Sequence, residues 1–484
     1  MMSDESVVDG DGDRPPAAGT CVFVIAQDIG HFGYTVHLAK ALHAAYGCNI
    51  EYWSHASAEK QCPEFATFHS LTDDQRMISF YCRHASRFSS DEENIAFFSA
   101  SINALMQQEF GDTLDPTVNM AGEAPRVLAL KRRLLRPDVL LCVNDLCHVF
   151  AWAGAHCETY GVPVLNLCPS QHQLQRTAAE CWDAWQTIFG NLKPLSDRSE
   201  LTAPVVVDEP ERFVPVRADP TLVPRAPALY ITYAPLVAHH AAILIPAGRE
   251  VAGPVYMPAA EVVAQQQRQG WEESSLCSWL NEAPGVPVVY VSLGSMVRSL
   301  AGCGCAGFVD ILLGALLSRP GCRVLTTINQ EELSEMFPRR QSDSKIYFSS
   351  WAPQLAVLAH PAVRLFVTHG GANSVHESIL YAVPMIVIPF FDDQRYNGPR
   401  LVELGLAVAC LAKDGLTADQ VVAAVTLALG DESTGSECAD TTSCLQACLV
   451  AASTAAVAQD GLGRLVKEAC DLCNFSIANP PYHD

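Results

Sequence analysis

Short β-rich apolar runs recur along the chain, each feeding through a turn into a stretch of helical period, and nothing else in the sequence narrows the fold as far. CVFVIA (21–26) passes through QDIG into HFGYTVHLAKALHAAYG, which stops at a glycine. VLLCV (139–143) leads to HVFAWAGAHCETYG, and PVLNLC (163–168) follows. After an irregular, Pro-rich stretch over 203–275 the rhythm restarts with VPVVYVSLGS (286–295), a helical pattern near 308–317, RVLTTI (323–328), KIYFSS (345–350), LFVTH (365–369) and MIVIPF (385–390). Continuous apolar strands alternating with helices belong in parallel sheets covered on both faces. The expectation is an α/β chain of two tandem Rossmann-like doubly wound domains.

Length agrees, since 484 residues accommodate two or three units of roughly 100 to 200 residues each. The expected division is an acidic, disordered tail over 1–19, a first domain over 20–253, a linker over 254–275, a second domain over 276–460, and a C-terminal helix and tail over 461–484. The polar stretch 430–442 reads as a surface loop.

With 31 Lys and Arg against 53 Asp and Glu, the net charge of −22 repels a nucleic-acid backbone, so no nucleic-acid partner is expected. The opening MMSDESVVDGDGDRPPAAGT lacks the apolar core of a signal peptide and the basic character of a transit peptide. Asp9, Asp11 and Asp13 imitate the start of a calcium loop without its closing Glu, so no metal is assigned. The 19 cysteines are scattered through apolar stretches and read as reduced core thiols. Cys470 and Cys473 form a single CxxC without a partner pair. A cytoplasmic location is expected from these features. The apolar run Leu380–Phe391 is far shorter than the ~20 residues of a membrane span and contains Pro384 and Pro389, so no membrane span is expected.

Gly302, Gly304 and Gly307 spell a dinucleotide fingerprint, but the first glycine lies nine residues past Leu293 rather than directly after the strand, and no acid stands ~20 residues further on. The informative window is WAPQLAVLAHPAVRLFVTHGGANSVHESILYAVPMIVIPFFDDQ, 351–394. A strand there meets a small-residue turn, Gly370-Gly371-Ala372, which opens a helix at Asn373 and Ser374. Such a helix start is suited to an anion such as a pyrophosphate. A plainer reading makes Ser374-x-x-Glu377 a capping box and the glycines a tight turn.

This 44-residue window resembles the donor-binding signature of the nucleotide-sugar glycosyltransferases of family 1, the plant secondary-product box and its animal, fungal and bacterial relatives. W-x-P-Q, L-x-H-P, F-x-T-H-G-G, N-S-x-x-E-S, V-P-M and D-Q occur along the window in the family's order. The resemblance implies a GT-B fold, two Rossmann-like domains facing each other across a cleft, with the acceptor in the first, a UDP-sugar in the second, and the C-terminal helix and tail of 461–484 packing back on the first. It implies that Trp351 stacks on uracil and that Gln354 bonds the ribose. His369, Asn373 and Ser374 would hold the diphosphate beside the Gly371 helix start, Glu377 would accept from ribose hydroxyls, and Asp393 and Gln394 would bind the sugar. Gly370 and Ala372 stand where plant members carry Cys and Trp, and Ala382 replaces the usual Gly. Upstream, LCSWLNEAPGVPVVYVSLGSM resembles the family's entry into the second domain, which places Ser295 near a phosphate, and Gly253-Pro254 resembles the "GP" before its linker.

Inverting members of the family use a His after the first strand as general base, with an Asp as helper. Gly30-His31 occupies that place, and a helix N-terminus disfavours the charged imidazole, leaving a proton acceptor near neutral pH. Asp145, after VLLCV, is the candidate helper, and it also suits a helix cap. His37 falls within the helix and ranks below His31, and Tyr34 replaces the family's frequent Pro. The reading is an inverting transfer of a hexose, glucose first, from a UDP-sugar donor to a small, largely apolar hydroxyl acceptor, whether phenolic, sterol or lipid. UDP-sugar is a co-substrate, and neither cofactor nor metal is expected. Phe32, Phe97 and Phe98 are candidate acceptor contacts. A sugar-nucleotide epimerase and an inactive UDP-sugar-binding protein remain the alternatives.

Overall fold

The computed structural model describes residues 19–25, 29–72, 129–144 apart from 131, 135 and 137, 162–168, 228–238, 249–294, 306–328, 345–390, 393–430 and 436–473. The first half supplies β1 (Thr20–Val24), α1 (Ile29–Tyr46), β2 (Asn49–His55), β3 (Thr67–Thr72), β4 (Val139–Asn144), β5 (Val164–Cys168), β6 (Ala228–Tyr230), the short α2 (Ala234–Ala238) and β7 (Arg249–Val251). Then come α3 (Ala259–Arg268), α4 (Ser275–Asn281), β8 (Val288–Ser292), α5 (Ala306–Ser318), β9 (Arg323–Thr326) and β10 (Ile346–Phe348). The remainder is α6 (Gln354–Ala359), β11 (Val363–Thr368), α7 (Ala372–Leu380), β12 (Met385–Val387), α8 (Gln394–Glu403), β13 (Ala407–Cys410), α9 (Ala418–Leu429), α10 (Ser436–Ala458) and α11 (Gly461–Cys473).

The strands form two separate sheets, ordered β3-β2-β1-β4-β5-β6-β7 and β10-β9-β8-β11-β12-β13, and every pairing within them is parallel. The central strands read as unbroken apolar runs because both faces are covered: all five residues of β1 are buried. In each sheet the strand order reverses beside the first strand, between β1 and β4 and between β8 and β11. Crevices at the carboxyl ends of such switch points are where open α/β sheets take ligands. The expected α/β, doubly wound architecture is therefore present in both halves.

One local expectation is corrected, and two stretches take a more definite form. The linker over 254–275 contains the ten-residue α3, whose Glu261 carboxylate pairs with Lys40 of α1. The polar loop expected over 430–442 gives way to α10 from Ser436, since small residues there continue an acceptable helix into the apolar stretch beyond. A stretch meeting the length and hydropathy of a membrane span does exist, Thr442–Cys473, 32 residues long, with 22% of its apolar 18-residue window buried. It is two helices, α10 and α11, separated at Asp460, whose φ is +46°. α11 packs on α1, β4 and β5, and its Leu465 and Ala469 are fully buried in the first domain's core beside Phe32, Leu38 and Leu165. The crossing is tight: a Cβ on Gly461 would overlap the backbone oxygens of Gly253 and Pro254.

Candidate functional site

The site is built at the carboxyl ends of β8, β11 and β12. β11 delivers Thr368 and His369 to the Gly370-Gly371 turn, and α7 starts immediately after it. Gly370 has φ +85°, and a Cβ there would lie 2.6 Å from Val387 Cγ1, so the turn has room and conformation for glycine alone. Gly371 is the N-cap, and no side chain caps the helix. Ser374 therefore lies inside the first turn, which removes the capping-box reading: its hydroxyl engages Gln354 instead.

The imidazole of His369 lies against Gly294 on the exit of β8 and against Gly371. A Cβ on Gly294 would stand 2.8 Å from its Nε2 and Cε1, and one on Gly371 would overlap Nε2. Burial holds His369 near a pKa of about 4, so at neutral pH it offers an N–H donor rather than a positive charge. An anion at this turn would be held by helix N–H groups and a neutral imidazole.

Gln354, the first residue of α6, centres a second cluster. Its Oε1 accepts from Tyr290 Oη at 3.3 Å, and its Nε2 donates to Ser374 Oγ at 3.1 Å and to Glu377 Oε2 at 2.6 Å. Burial pushes the Glu377 carboxyl up to about 7, partly opposed by the Gln354 bond. The Tyr256 hydroxyl is buried without a hydrogen-bond partner, and burial followed by the charges of Tyr233 and Glu377 raises its pKa. The cluster is a strip of donors and acceptors suited to a polyol edge. Trp351, three residues before Gln354, is 52% exposed and presents an aromatic surface beside it.

Asp393 precedes α8 and accepts from Asn397 Nδ2 at 3.0 Å, while the same amide donates to the Gly370 carbonyl at 2.8 Å. Asn397 thus ties the Asp393 loop to the glycine turn. Gln394 is buried, and its Oε1 accepts from the Phe390 N–H at 2.9 Å. Its carbonyl is turned to the backbone rather than toward a ligand.

Of the remaining candidates, His31 lies in the first turn of α1, directly beyond β1; the helix begins at Ile29, earlier than the sequence pattern indicated. Asp145 and Ser295 lie outside the described residues, as do Phe97 and Phe98. β1 pairs β4 through Val24 and Val143, so the carboxyl ends of the two strands lie side by side at the switch point. Phe32 is fully buried and stacks on Tyr52 at 4.7 Å, which makes it core rather than an acceptor contact. His37 is mostly buried, its Nδ1 lacks a partner, and burial lowers its pKa to about 4.

Sequence reasoning missed three contributors, Tyr290, Gly294 and Asn397, which act through partners distant in sequence.

The architecture matches glycosyltransferases of known structure. A UDP-glucosyltransferase from Polygonum tinctorium capable of glucosylating indoxyl superposes with TM-score 0.59 at 17% identity, covering 95% of this chain and 99% of that one. The kitacinnamycin glycotransferase gives 0.57 at 20% identity over 93% and 100%. A Medicago truncatula enzyme complexed with UDP-glucose gives 0.56 at 17% over 93% and 98%. The fold is accordingly GT-B. Within it, residues 256–438, which include Trp351, Gln354, His369, Ser374, Glu377 and Asp393, match the model of the UDP-glucoronosyl and UDP-glucosyl transferase family. In the curated set, a UDP-glucose flavonoid 3-O-glucosyltransferase of Fragaria ananassa is 34% identical over 173 residues, 32% of this chain and 35% of that protein. A myricetin 3-O-rhamnoside 1,2-glucosyltransferase of Crocosmia x crocosmiiflora is 41% identical over 128 residues, 26% of each. The aligned stretches thus span about a third of those relatives' length.

Proposed function

We propose that this protein is an inverting glycosyltransferase that moves glucose from UDP-glucose to a hydroxyl of a small, largely apolar acceptor, a phenol in the first instance. The observation that carries the reading is the Gln354–Ser374–Glu377 cluster set beside the uncapped N-terminus of α7. It offers a ribose-binding edge next to an anion-binding helix start, which is the layout a nucleoside diphosphate requires. The family match over 256–438 and relatives named as flavonoid glucosyltransferases support a UDP-sugar donor and a phenolic acceptor.

In this reading Trp351 stacks on uracil, Gln354 and Glu377 take the ribose hydroxyls, and His369, Asn373, Ser374 and Ser295 hold the diphosphate beside the Gly371 turn. Asp393 and Gln394 face the sugar, Gln394 after releasing the Phe390 N–H. His31 removes the acceptor proton, Asp145 steadies the imidazolium, and the oxygen displaces UDP at the anomeric carbon in one step, turning an α-linked donor into a β-glycoside. The α7 N-terminus stabilises the charge that develops on UDP. This chemistry calls for no metal, and the free thiols among the described residues favour a reducing, cytoplasmic setting.

Calorimetry with UDP, UDP-glucose, UDP-glucuronate, UDP-galactose and NADH, alongside Glu377→Ala, tests the donor half. Binding of the uridine ligands that weakens in the variant supports it, and absence of uridine binding refutes it. A phenol panel read by product mass tests the transfer. UDP release without any acceptor would instead indicate a hydrolase, conversion of one UDP-sugar into another an epimerase, and donor binding with neither across the panel a binding protein.

A further inference from the structure

Beyond β6 the first half of the chain leaves its sheet at the carboxyl end, and the segment Thr232–Pro235 is held by three side chains from the second half. His376 of α7 accepts the Tyr233 N–H on Nε2 at 3.3 Å and lies 3.1 Å from Thr232 Oγ1. Gln459, at the end of α10, accepts the Ala234 N–H at 3.1 Å. Arg400 of α8 donates to the Pro235 carbonyl from Nε at 3.1 Å and from Nη2 at 2.9 Å. Tyr233 and Leu236 are buried in the second domain's core, in the same cluster as Val375, Ile379, Leu401 and Ala456.

Two of the gripping helices are those that shape the donor site: α7 carries Ser374 and Glu377, and α8 follows Asp393. His376 neighbours Glu377 in sequence but points off the Ser374–Glu377 face, because adjacent helical residues diverge by about 100°. An imidazole that accepts a backbone N–H on Nε2 is neutral, and burial keeps it so. The bond is buried, and a buried N–H deprived of its acceptor is costly, so the contact is costly to break.

A displacement between two domains requires the acceptor oxygen, held by one, to meet the anomeric carbon, held by the other, and a misplacement of about 1 Å costs roughly 100-fold in rate. We propose that the clasp on Thr232–Pro235, with His376 as its central positioning residue, sets the acceptor domain against the donor helices and so governs transfer without contributing to donor affinity. The proposal rests on the glycosyltransferase reading for its kinetic consequence and on the hydrogen bonds alone for its structural one.

Three readouts on His376→Leu and His376→Gln test it: calorimetric binding of UDP, turnover with UDP-glucose and the phenol selected from the panel, and hydrogen exchange of amides 232–234 and 236 in the ligand-free protein. His376→Leu should bind UDP within about twofold of the parent, lose about tenfold or more in kcat, and exchange those amides about tenfold faster. His376→Gln, which restores an acceptor, should recover most of the turnover and protection. Unchanged exchange in His376→Leu overturns the clasp, whether or not the parent protein binds UDP. Unchanged turnover, or equal loss of UDP affinity and turnover, overturns the positioning role. If His376→Leu fails to fold, Thr232→Val carries the same test: slowed transfer at parental UDP affinity supports the role, and parental turnover overturns it. A parent that binds no UDP refutes the functional reading separately.

Discussion

Glu377 provides the sharpest test, because the free protein holds its carboxyl at about 7 while the proposed role requires the ionised form. Ribose hydroxyls donate, so a carboxylate accepts both, whereas a protonated acid must surrender an acceptor. Uridine itself carries no group that titrates between pH 5 and 8, and burial holds His369 and His376 near 4, so Glu377 dominates that window. With a free-state pKa of about 7, uridine affinity should be level above pH 8 and fall about tenfold per unit below 7, close to 100-fold weaker at pH 5. Glu377→Gln should bind more weakly at pH 8 and show no slope. Calorimetric Kd values for uridine at four pH points decide it. A flat parental profile from pH 5 to 8 would refute the burial argument. The stability sign is fixed by the same shift. Because the folded pKa lies above the ordinary 4.5, folding is favoured at low pH, and stability is lost as pH rises from about 4.5 to 7. A shift of that size corresponds to at most about 3 kcal/mol.

Trp351→Ala should weaken UDP binding by roughly 10- to 100-fold, the worth of a stacked base, with little change in melting temperature because the ring is half exposed. Gly371→Ala should abolish measurable UDP binding, since its methyl would occupy the space of His369 Nε2; parental binding by calorimetry would overturn the described packing. His31→Ala should lower kcat by about 100-fold or more while leaving UDP affinity unchanged, and near-parental turnover would remove His31 as the base. Ala382→Gly should stabilise the protein by about 0.5–1 kcal/mol in thermal unfolding, because Ala382 has φ +52° at the end of α7. There the Ala382 and Val383 N–H groups close a Schellman turn onto Ile379 and Ser378.

The sequence by itself determined what is local. Strand, turn and helix follow one another because apolar runs, glycines and helix formers do so along the chain, and the parallel doubly wound class follows from that order. The 351–394 window is likewise legible, since a small-residue turn between a buried strand and a helix start is written in consecutive residues. Even there the local reading left a choice: Ser374-x-x-Glu377 fits a capping box until the fold places the N-cap at Gly371 and Gln354 against both side chains. Nothing local marks Ala382 as strained, and it is the fold that gives it a positive φ. Only the tertiary structure decided contacts between residues far apart in the chain. It brought Gly294 against His369, Tyr290 against Gln354, and Thr232 against His376 across 144 positions. It also gave Tyr233 and Leu236 to the second domain's core. Pattern along a chain encodes which face of an element is apolar, but which partner covers that face is settled only when all elements compete for the same buried volume.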